Sequence, residues 1–497
     1  MTTPKNNQER LLRRTFEIIP PIISLLLLSS PFWASFFIPV VVAYFIIFFD
    51  VYFFYRAAML GINSTRAYFK IRRNLRIDWL EKLKLSSLPW QKVRHVVIVP
   101  TYKEPIEILH RTLTFLAEQE FPREQIDVCL ATEKRDGPAL EKAEKLRAQF
   151  AHLFGNFWVT CHKLSKNEVA GKSSNLAFAA KAIKRLIQKA GYDKDFITVT
   201  SCDADVSLHP KYFAVLTYQF LTNKEPYNKF WQAAILFYNN IWRVPIFVRV
   251  VHTVYSINGM AQLLAPGSNF NYSTYSISWN LLEKSGFWDA DVVPEDWHLF
   301  FKAFFARKGA VELESVFLPL YADAAEGQNY WETLKQQYVQ NRRWAWGITD
   351  ISYALTQFIQ YRREIPLSAF VVRFIRATEQ HVLWPVNWWI LTLGATIPPL
   401  LNPVFRQTAL GFNLPKISSL ILTFCAFFFI FVIVVDYLMK PPRPAYFKKR
   451  FLPITIIQYV LLPVTSFFFS ALPGMDAHTR LLLGKRLEYR PTEKFIK

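Results

Sequence analysis

The chain of 497 residues is basic and rich in aromatic side chains. It is 52% hydrophobic and 16% aromatic, only 20% of its residues are charged, and its formal net charge is +21. This composition excludes a disordered chain, a collagen and a coiled coil, because each of these has far fewer aromatic residues or a strict repeat. A basic protein this apolar is expected to face membrane phosphates rather than nucleic acid. The four cysteines form no C-x-x-C pair, which excludes a zinc ribbon or a disulfide framework.

The N-terminal region contains a long apolar stretch. Residues 20–49 carry no charged side chain. One helix of the whole stretch would far exceed the roughly 20 residues that span a bilayer. The Ser-Ser-Pro sequence at 29–31 favours a turn, so two spans are predicted, at 16–30 and 33–55. Basic residues flank both ends of this hairpin, which predicts that both flanks and the large middle of the chain lie in the cytoplasm.

Three more charge-free stretches lie near the C-terminus, at 382–405, 417–435 and 451–475. The link 402–415 carries only Arg406, whereas the link 440–450 carries five basic residues. This asymmetry predicts that the first link is outside and the second inside. The last stretch contains three prolines, which are typical of a broken or re-entrant helix. A re-entrant or interfacial segment with a cytoplasmic tail is therefore favoured over a full crossing, which would place the basic tail outside.

The middle of the chain alternates between short β-branched runs and stretches with helical periodicity. The predicted strands are 95–101, 127–131, 157–161, 196–201 and 232–237. A helix is predicted at 107–119, after the first strand. This alternation indicates an α/β domain with a mostly parallel sheet and helices on both faces. Ligands of such sheets bind at the carboxyl ends of the strands.

Acidic or hydroxyl side chains follow three of these strands, in the runs 101–104, 132–133 and 203–205. The last run is a D-x-D sequence, Asp203-Ala-Asp205. Two carboxylates one residue apart at a strand end can hold one hard cation, which in turn neutralises a diphosphate. The D-x-D sequence alone is a weak signal, and an acidic turn is the alternative.

A second pair of acids, Glu295 and Asp296, opens a predicted helix that continues to Ala306. Acids are common in a first helical turn simply because they suit the helix dipole. The functional alternative is that one of them removes the proton of an incoming sugar hydroxyl, as a general base.

The Q-x-x-R-W sequence of Gln340, Arg343 and Trp344 is the most specific pattern in the chain. Its residues stand at i, i+3 and i+4, so they share one face of a helix. An amide and a guanidinium on that face can hold phosphate oxygens, and the indole offers a flat surface for a sugar ring. An amphipathic helix on the membrane surface is the alternative.

Together these patterns resemble the processive family 2 glycosyltransferases, which are the cellulose, hyaluronan and chitin synthases. The resemblance covers about residues 92–350 by motif and the flanking helices by arrangement. It implies a GT-A fold and inversion at the anomeric carbon of a nucleotide-activated sugar, commonly a UDP-sugar. It also implies Mg²⁺ or Mn²⁺ as the cofactor.

The resemblance further implies roles for single residues. Those implied to bind the nucleotide are Thr101, Tyr102, Glu104, Glu133, Lys172, Asp203, Gln340 and Arg343. Glu133 is only a stand-in, because the Asp-Asp-Gly sequence of the family is absent after the second strand. Asp203 and Asp205 match the nucleotide and metal aspartates, Asp296 matches the catalytic base, and Trp344 matches the platform at the acceptor site.

The tail is similar to the gating loop F-x-V-T-x-K of cellulose synthases, which closes over bound UDP. Tyr489, Thr492 and Lys494 carry this similarity, with Tyr489 in the place of Phe and Pro491 in the place of Val. Further departures are Pro294 in the place of Thr before the acid pair and the absent Asp-Asp-Gly sequence. Together the departures leave the nucleobase preference and the product open, more than the reaction type. A cytoplasmic gating loop also agrees with a re-entrant last segment.

Five regions are expected along the chain. They are a transmembrane hairpin at 1–60, a cytoplasmic GT-A catalytic domain at 61–325, amphipathic interfacial helices at 326–380, transmembrane or re-entrant helices at 381–475 and a gating tail at 476–497. The expected protein is a multi-pass enzyme of the cell membrane that transfers a sugar from a nucleotide-sugar to a growing polysaccharide. An extension of this hypothesis is that the polysaccharide is translocated through the enzyme's own helices.

Two other function classes remain open on the sequence alone. A non-processive enzyme would move one sugar to a lipid carrier or a glycolipid. A transporter or an inactive scaffold is disfavoured, because the spans carry almost no charge and the acids of both motifs are intact. The expected partners are therefore a nucleotide-sugar, a glycan or glycolipid acceptor and the lipid bilayer, without nucleic acid.

Overall fold

The computed structural model describes residues 7–445, 447 and 453–487. Long apolar helices come first, an α/β domain follows, and further helices complete the described chain. The α/β domain positions the candidate site, and the helices after it close the site from the other side.

The chain begins with two long helices, α1 (Asn7–Phe37) and α2 (Pro39–Leu75), separated only by Ile38. The turn expected at the Ser-Ser-Pro sequence is wrong, because α1 continues through it. Pro31 has no N–H to donate to the carbonyl of Leu27, four residues earlier. The Ser30 hydroxyl donates to that carbonyl instead, at 2.9 Å, so the helix keeps its polar groups paired.

The middle of the chain forms a seven-stranded mixed sheet. Its strands are β1 (Arg94–Pro100), β2 (Ile126–Glu133), β3 (Asn156–His162), β4 (Ile197–Ser201), β5 (Lys229–Leu236), β6 (Tyr275–Ser278) and β7 (Glu312–Tyr321). Their order in the sheet is β3-β2-β1-β4-β6-β5-β7, and β6 runs antiparallel to both of its neighbours. The sheet is therefore mixed and mostly parallel, as predicted. The five predicted strands are confirmed, and β6 and β7 are additional.

Helices cover both faces of this sheet. They are α3 (Trp79–Lys84), α4 (Ile106–Ala117), α5 (Ala139–Phe150), α6 (Lys172–Ala190), α7 (Tyr212–Thr222), α8 (Ile246–Gln262), α9 (Trp279–Lys284) and α10 (Asp296–Ala306). On β1, Val97 packs on one face in a core that contains α4, α5 and α7. Its neighbour Ile98 packs on the other face in a core that contains α6, α9 and α10. Burial on both faces is why β1 is a continuous apolar run, and each fully buried side chain contributes about 1.5–3 kcal/mol.

Three helices follow the sheet, α11 (Tyr330–Ala345), α12 (Thr349–Tyr361) and α13 (Leu367–Val382). The N-terminus of α11 is capped by Asn329, whose side chain accepts a hydrogen bond of 2.9 Å from the backbone N–H of Glu332. This cap fixes where the helix begins and therefore which face carries the Q-x-x-R-W sequence.

The C-terminal part consists of shorter helices around one long helix. These are α14 (Asn387–Trp389), α15 (Ile397–Leu401), α16 (Pro403–Arg406), α17 (Ala409–Met439), α18 (Ile454–Ile457), α19 (Leu462–Ser466) and α20 (Leu472–Leu482). The charge-free stretch 382–405 is thus broken into pieces, with a π-helical segment at Ile390–Gly394. Prolines at 398, 399 and 403 each remove a helical hydrogen-bond donor, which accounts for the later breaks.

Four helical stretches of the described chain are long and apolar enough to cross a membrane. They are Leu11–Phe37, Pro39–Leu75, Ala409–Met439 and Ile454–Leu482. The first two correspond to the predicted spans 16–30 and 33–55, but the break lies at Ile38 and the second helix continues to Leu75. The third contains the predicted stretch 417–435. The fourth contains most of the proline-interrupted stretch and is built from α18, α19 and α20 with irregular turns between them.

The last of these stretches packs along α11. The Asn341 side-chain amide donates a hydrogen bond to the carbonyl of Phe469. The guanidinium of the next residue, Arg342, pairs with Asp476 at 2.8 Å. The C-terminal helices therefore lie against the side of α11 that carries residues 341 and 342.

Helix α1 is also tied to later parts of the chain at both of its ends. The Arg14 guanidinium donates to the carbonyls of Leu481 and Leu482, at 2.9 and 2.7 Å. Near the other end, the carbonyl of Ser35 accepts a hydrogen bond of 3.2 Å from the Asn402 side chain. The beginning of α1 therefore lies beside the end of α20, and its far end lies beside the break between α15 and α16.

Candidate active site

A cavity of about 340 Å³ lies at the carboxyl ends of the central strands, between the sheet and helices α11 to α13. Eleven of the residues predicted for the site line this one cavity. They are Thr101, Tyr102, Glu104, Glu133, Lys172, Asp203, Asp205, Asp296, Gln340, Arg343 and Trp344. The other three, Tyr489, Thr492 and Lys494, lie outside the described residues.

The loop after β1 forms one wall of the cavity. Glu104 accepts hydrogen bonds from the Thr101 hydroxyl at 2.8 Å and from the Tyr102 backbone N–H at 2.5 Å, so the loop closes on itself. The Arg135 guanidinium lies 4.4 Å from the centre of the Tyr102 ring. Arg135 also donates to Glu133, with an Nε to Oε2 distance of 2.9 Å. Burial raises the pKa of Glu133, and Arg135 opposes that rise.

A buried ammonium group joins the two acidic motifs. The Lys172 Nζ lies 2.7 Å from Asp203 Oδ1 and 2.6 Å from Glu295 Oε1. It also donates to the Ser273 carbonyl at 2.7 Å. Burial alone would lower the pKa of Lys172, but the two carboxylates outweigh it and raise that pKa well above its usual value. Lys172 therefore stays charged and holds both acids in place.

Asp205 lies deeper than Asp203 and is held by the chain beyond β7. It is 5% exposed, and its Oδ2 accepts a hydrogen bond of 3.3 Å from the backbone N–H of Asp323. Asp323 in turn pairs with Arg111 at 2.7 Å. The structure thus presents two carboxylates of the D-x-D sequence on one wall of the cavity.

The two D-x-D carboxylates fit a divalent cation that shares its coordination with a ligand. The described residues contain no group of three or more histidine, cysteine or acidic side chains that could hold a metal ion. Mg²⁺ is commonly bound by one or two carboxylates together with substrate phosphates and water. The hard oxygen ligands of Asp203 and Asp205 match that pattern, with a diphosphate completing the coordination.

Asp296 lies at the first position of α10 and faces the same cavity. Its Oδ1 accepts a hydrogen bond of 2.9 Å from the Trp297 N–H, and its Oδ2 accepts one of 3.2 Å from the Ser273 N–H. Burial raises the pKa of Asp296, while Lys172 and the two backbone donors oppose that rise. A carboxylate with a raised pKa is a stronger base for a hydroxyl proton than an exposed one.

Helix α11 supplies the opposite wall. Gln340, Arg343 and Trp344 all line the cavity, as the i, i+3, i+4 spacing predicted. The Trp344 ring packs edge-on against Tyr255, with a centroid distance of 5.2 Å, and lies 6.1 Å from the Phe237 ring. These contacts fix the indole plane at the edge of the cavity, so the alternative of a purely membrane-facing helix does not account for these three residues.

Ser273 is a residue of the site that the sequence analysis missed. Its hydroxyl donates to Asp203 at 2.5 Å, its carbonyl accepts from Lys172, and its N–H donates to Asp296. It adopts a left-handed backbone conformation with φ of 56°, which turns all three groups toward the two motifs. A single serine in a loop carries no pattern in the sequence that would have identified it.

Four more cavity residues with polar side chains were also missed, and they lie beyond Trp344. They are Asp350, Gln380, His381 and Trp384. Asp350 could have been noticed in the sequence, because it is the only charged residue between Trp344 and Tyr361. The other three belong to the end of α13 and the residues that follow it, more than eighty positions after the acid pair.

The sequence profile described as glycosyl transferase family group 2 matches residues 198–469, which is more than half of the chain. The fold and the profile together define a glycosyltransferase of the GT-A type that uses a nucleotide-sugar. The chain belongs to glycosyl transferase family group 2. No curated protein sequence matches it.

Three solved structures to which the chain is similar are remote in sequence. The mannosyltransferase PcManGT from Pyrobaculum calidifontis, solved with GDP-Man and Mn²⁺, is 16% identical, with a TM-score of 0.42 over 80% of this chain and 100% of that one. TarS from S. aureus is 12% identical, with a TM-score of 0.29 over 66% and 54%. GalNAc-T7, solved with UDP, GalNAc and Mn²⁺, is 11% identical, with a TM-score of 0.33 over 60% and 59%. This chain thus spans little more than half the length of the last two.

Proposed function

We propose that the protein is a membrane-embedded inverting glycosyltransferase that extends a polysaccharide from a nucleotide-sugar, with a UDP-sugar as the first donor to test. The observation that carries the proposal is that one cavity contains the D-x-D carboxylates, Asp296 and the Q-x-x-R-W side chains. These are the groups needed to hold a diphosphate, to remove a hydroxyl proton and to support an acceptor sugar.

In this proposal the nucleotide lies along the loop after β1. Tyr102 and the Arg135 plane above it offer a stacking surface for a base, and Glu133 offers a hydrogen-bond acceptor beside them. The diphosphate lies between Asp203 and the Gln340–Arg343 pair on α11. Lys172, which is paired with Asp203, lies beside it. A guanidinium can bind two phosphate oxygens at once, which fixes the leaving group in one orientation.

Transfer proceeds by a single displacement. Asp296 takes the proton of the acceptor hydroxyl, the oxygen of that hydroxyl attacks the anomeric carbon, and the bond from this carbon to the diphosphate breaks. Attack from the side opposite the leaving group inverts the anomeric centre. Mg²⁺ or Mn²⁺ held by Asp203 and Asp205 would neutralise the charge that develops on the diphosphate.

The shape of the acceptor end favours a glycan that is longer than one sugar. Beyond the Trp344 indole, the cavity continues to His381 and Trp384, at the head of the broken segment 383–406. This segment runs along α1, from a hydrogen bond between Ser24 and the Val382 carbonyl to the one between Asn402 and Ser35. In this proposal a chain of sugars that leaves the site follows this segment toward the membrane, and synthesis is coupled to translocation.

Transfer of one sugar to a lipid carrier is the second candidate. The observation that favours it is the same contact between the acceptor end and the apolar helices, because a lipid-linked acceptor needs access from the bilayer. Product size distinguishes the two candidates, since a processive enzyme gives long chains and a lipid-directed enzyme gives one added sugar per acceptor.

The test of the function uses the purified full-length chain in detergent. Release of nucleoside diphosphate is measured with a panel of UDP- and GDP-sugars, followed by sizing of the products, and Asp296→Asn serves as the inactive control. Release from one donor with long products supports the proposal. Release from none of the donors by the wild-type protein would refute it.

We also propose that the regions expected from the sequence are oriented with the catalytic domain and the tail in the cytoplasm. The support is the pair of hydrogen bonds from Arg14 to the end of α20, because they place the start of α1 and the end of α20 on one side of the membrane. The stretch 454–482 then re-enters rather than crosses. The tail 488–497, which carries the gating similarity, follows on the same side.

Cysteine labelling tests this orientation. Lys485→Cys is exposed just after α20, and Gln407→Cys is exposed in the link expected outside. In intact cells, a membrane-impermeant reagent is expected to label position 407 and to leave position 485 unlabelled until the cells are opened. Labelling of position 485 from outside would refute both the re-entrant segment and a gating role of the tail.

A further inference from the structure

Several buried polar atoms that line the cavity have no hydrogen-bond partner among the described residues, and three of the side chains that carry them lie beyond Trp344. At the donor end, Lys172 and Ser273 bind the carboxylates of both motifs. At the other end, beyond Trp344, the side chains of Asp350, His381 and Trp384 contain buried polar atoms without a hydrogen-bond partner among the described residues. These atoms are Asp350 Oδ2, both ring nitrogens of His381 and Trp384 Nε1.

Only one of the two carboxylate oxygens of Asp350 has a hydrogen-bond partner among the described residues. The residue is 1% exposed, and its Oδ1 is bound by His298 Nδ1 at 2.9 Å. The other ring nitrogen of His298 binds Asp289 at 3.0 Å, and Lys302 also pairs with Asp289. Burial lowers the pKa of His298, but the hydrogen bonds to Asp289 and Asp350 outweigh it and raise that pKa. Burial raises the pKa of Asp350, and His298 opposes that rise. The imidazolium pairs with Asp350 Oδ1 and leaves Oδ2 without a partner among the described residues.

His381 approaches the same part of the cavity from α13. A Cβ atom at Gly347 would lie 2.6 Å from His381 Cε1, so the close contact requires glycine at that position. Burial lowers the pKa of His381 to about 3, and His478 adds to the effect. The ring is therefore neutral at pH 7 and carries one donor and one acceptor nitrogen.

Aromatic rings surround these polar atoms. The His381 and Trp384 rings are nearly parallel, with an interplanar angle of 10° and centroids 6.2 Å apart. Trp297, the neighbour of Asp296, packs edge-on against His381 at 4.9 Å. Flat apolar faces beside separate donors and acceptors match a pyranose, whose C–H groups cover one face and whose hydroxyls project at the edge.

We propose that Asp350 and His381 bind neighbouring hydroxyl groups of the acceptor sugar and so select which of its hydroxyls reaches Asp296. The inference rests on the proposed function and adds the acceptor specificity of the same site. One hydroxyl donates to Asp350 Oδ2, and the adjacent hydroxyl pairs with a ring nitrogen of His381. Trp384 Nε1 donates to a further hydroxyl or to the ring oxygen of the sugar.

The test separates transfer from hydrolysis of the donor. The full-length chain in detergent is given a radiolabelled nucleotide-sugar and, as acceptors, methyl glucoside, methyl mannoside and their monodeoxy analogues. Labelled glycoside reports transfer, and free labelled sugar reports hydrolysis. Asp350→Asn and His381→Gln are compared with Glu364→Gln, which removes a charge from an exposed surface pair with Lys308.

Loss of a hydrogen bond to a charged group is expected to lower the ratio of transfer to hydrolysis about 10- to 100-fold in Asp350→Asn. Hydrolysis and affinity for the nucleoside diphosphate stay unchanged, and Glu364→Gln behaves as wild type. The deoxy analogue that lacks the bound hydroxyl is a poor acceptor for the wild type and is no worse than its parent for Asp350→Asn. His381→Gln shows the same pattern for the adjacent position, which guards against misfolding of one variant.

Three results would overturn the subsite while leaving the proposed function standing. They are an unchanged ratio in both variants, an equal fall of transfer and hydrolysis, and a wild-type enzyme that hydrolyses the donor but glycosylates none of the pyranosides. A wild-type enzyme that neither hydrolyses nor transfers would instead refute the proposed function itself, and the subsite with it.

Discussion

Replacing Asp296 by asparagine tests the proposed base most directly, because the change removes the charge and keeps the shape. The carboxylate accepts two backbone hydrogen bonds, from Trp297 at 2.9 Å and from Ser273 at 3.2 Å. An asparagine oxygen can keep one of them, and its amide group leaves the other N–H unpaired. The variant should therefore lose about 1–3 kcal/mol of stability and remain folded. An amide cannot accept the hydroxyl proton, so turnover should fall at least roughly a hundredfold, which is about 2.7 kcal/mol in the barrier.

The assay follows sugar transfer and nucleoside diphosphate binding in the same preparation. Binding should stay within about threefold of wild type, because the base acts on the acceptor. The exposed Glu141→Gln, which removes a surface charge far from the cavity, is the control for loss of a carboxylate. Retention of more than about a tenth of wild-type turnover would remove Asp296 from the mechanism. Loss of nucleotide binding together with turnover would show that Asp296 organises the donor end instead.

Three further changes probe other parts of the molecule. Asp205→Ala should weaken nucleoside diphosphate binding about tenfold or more in the presence of Mg²⁺ or Mn²⁺ but not in its absence, and unchanged cation-dependent binding would refute the metal assignment. Trp344→Ala should shorten the products while donor hydrolysis persists, whereas an equal loss of both with a lower Tm would favour a packing role. Buried His95 has a pKa of about 3 against 6.5 in the unfolded chain, so the unfolded state binds the extra proton. The contribution of neutral His95 to the free energy of unfolding is therefore fully present above about pH 6.5 and falls by up to about 5 kcal/mol as the pH drops toward 3. His95→Gln should flatten the dependence of Tm on pH.

The sheet was predictable where strands are apolar runs of ordinary length. The strands β1 to β5 are such runs, and polar residues at or just after the carboxyl ends of β1, β2 and β4 indicated the edge at which the cavity lies. The strand β6 has only four residues, too few to show a period of two. The strand β7 contains Pro319, which normally argues against a strand. The proline is tolerated because it lies at the register shift between β7 and β5.

The candidate site was predictable where its residues form short local patterns. The D-x-D, acid-Asp and Q-x-x-R-W sequences each place their side chains by spacing alone, and the structure brings all three to one cavity. Ser273 and His381 could not be found in this way. Each is a single residue whose position depends on a loop conformation or on the packing of two helices. Neither belongs to a periodic pattern or a motif that could be recognised in the sequence.

Helix α11 has a mechanical consequence beyond chemistry. Gln340 and Arg343 face the cavity, whereas Asn341 and Arg342, between them in the chain, are bonded to the C-terminal helices. Since a helix turns as a rigid body, a rotation or shift of α11 moves both sets of side chains together. In the proposed function Gln340 and Arg343 hold the diphosphate, so a change of bilayer thickness that shifts the C-terminal helices would also change those contacts. Under that proposal the thickness and composition of the surrounding lipid become variables of donor affinity, and activities measured in different detergents or bilayers are not directly comparable.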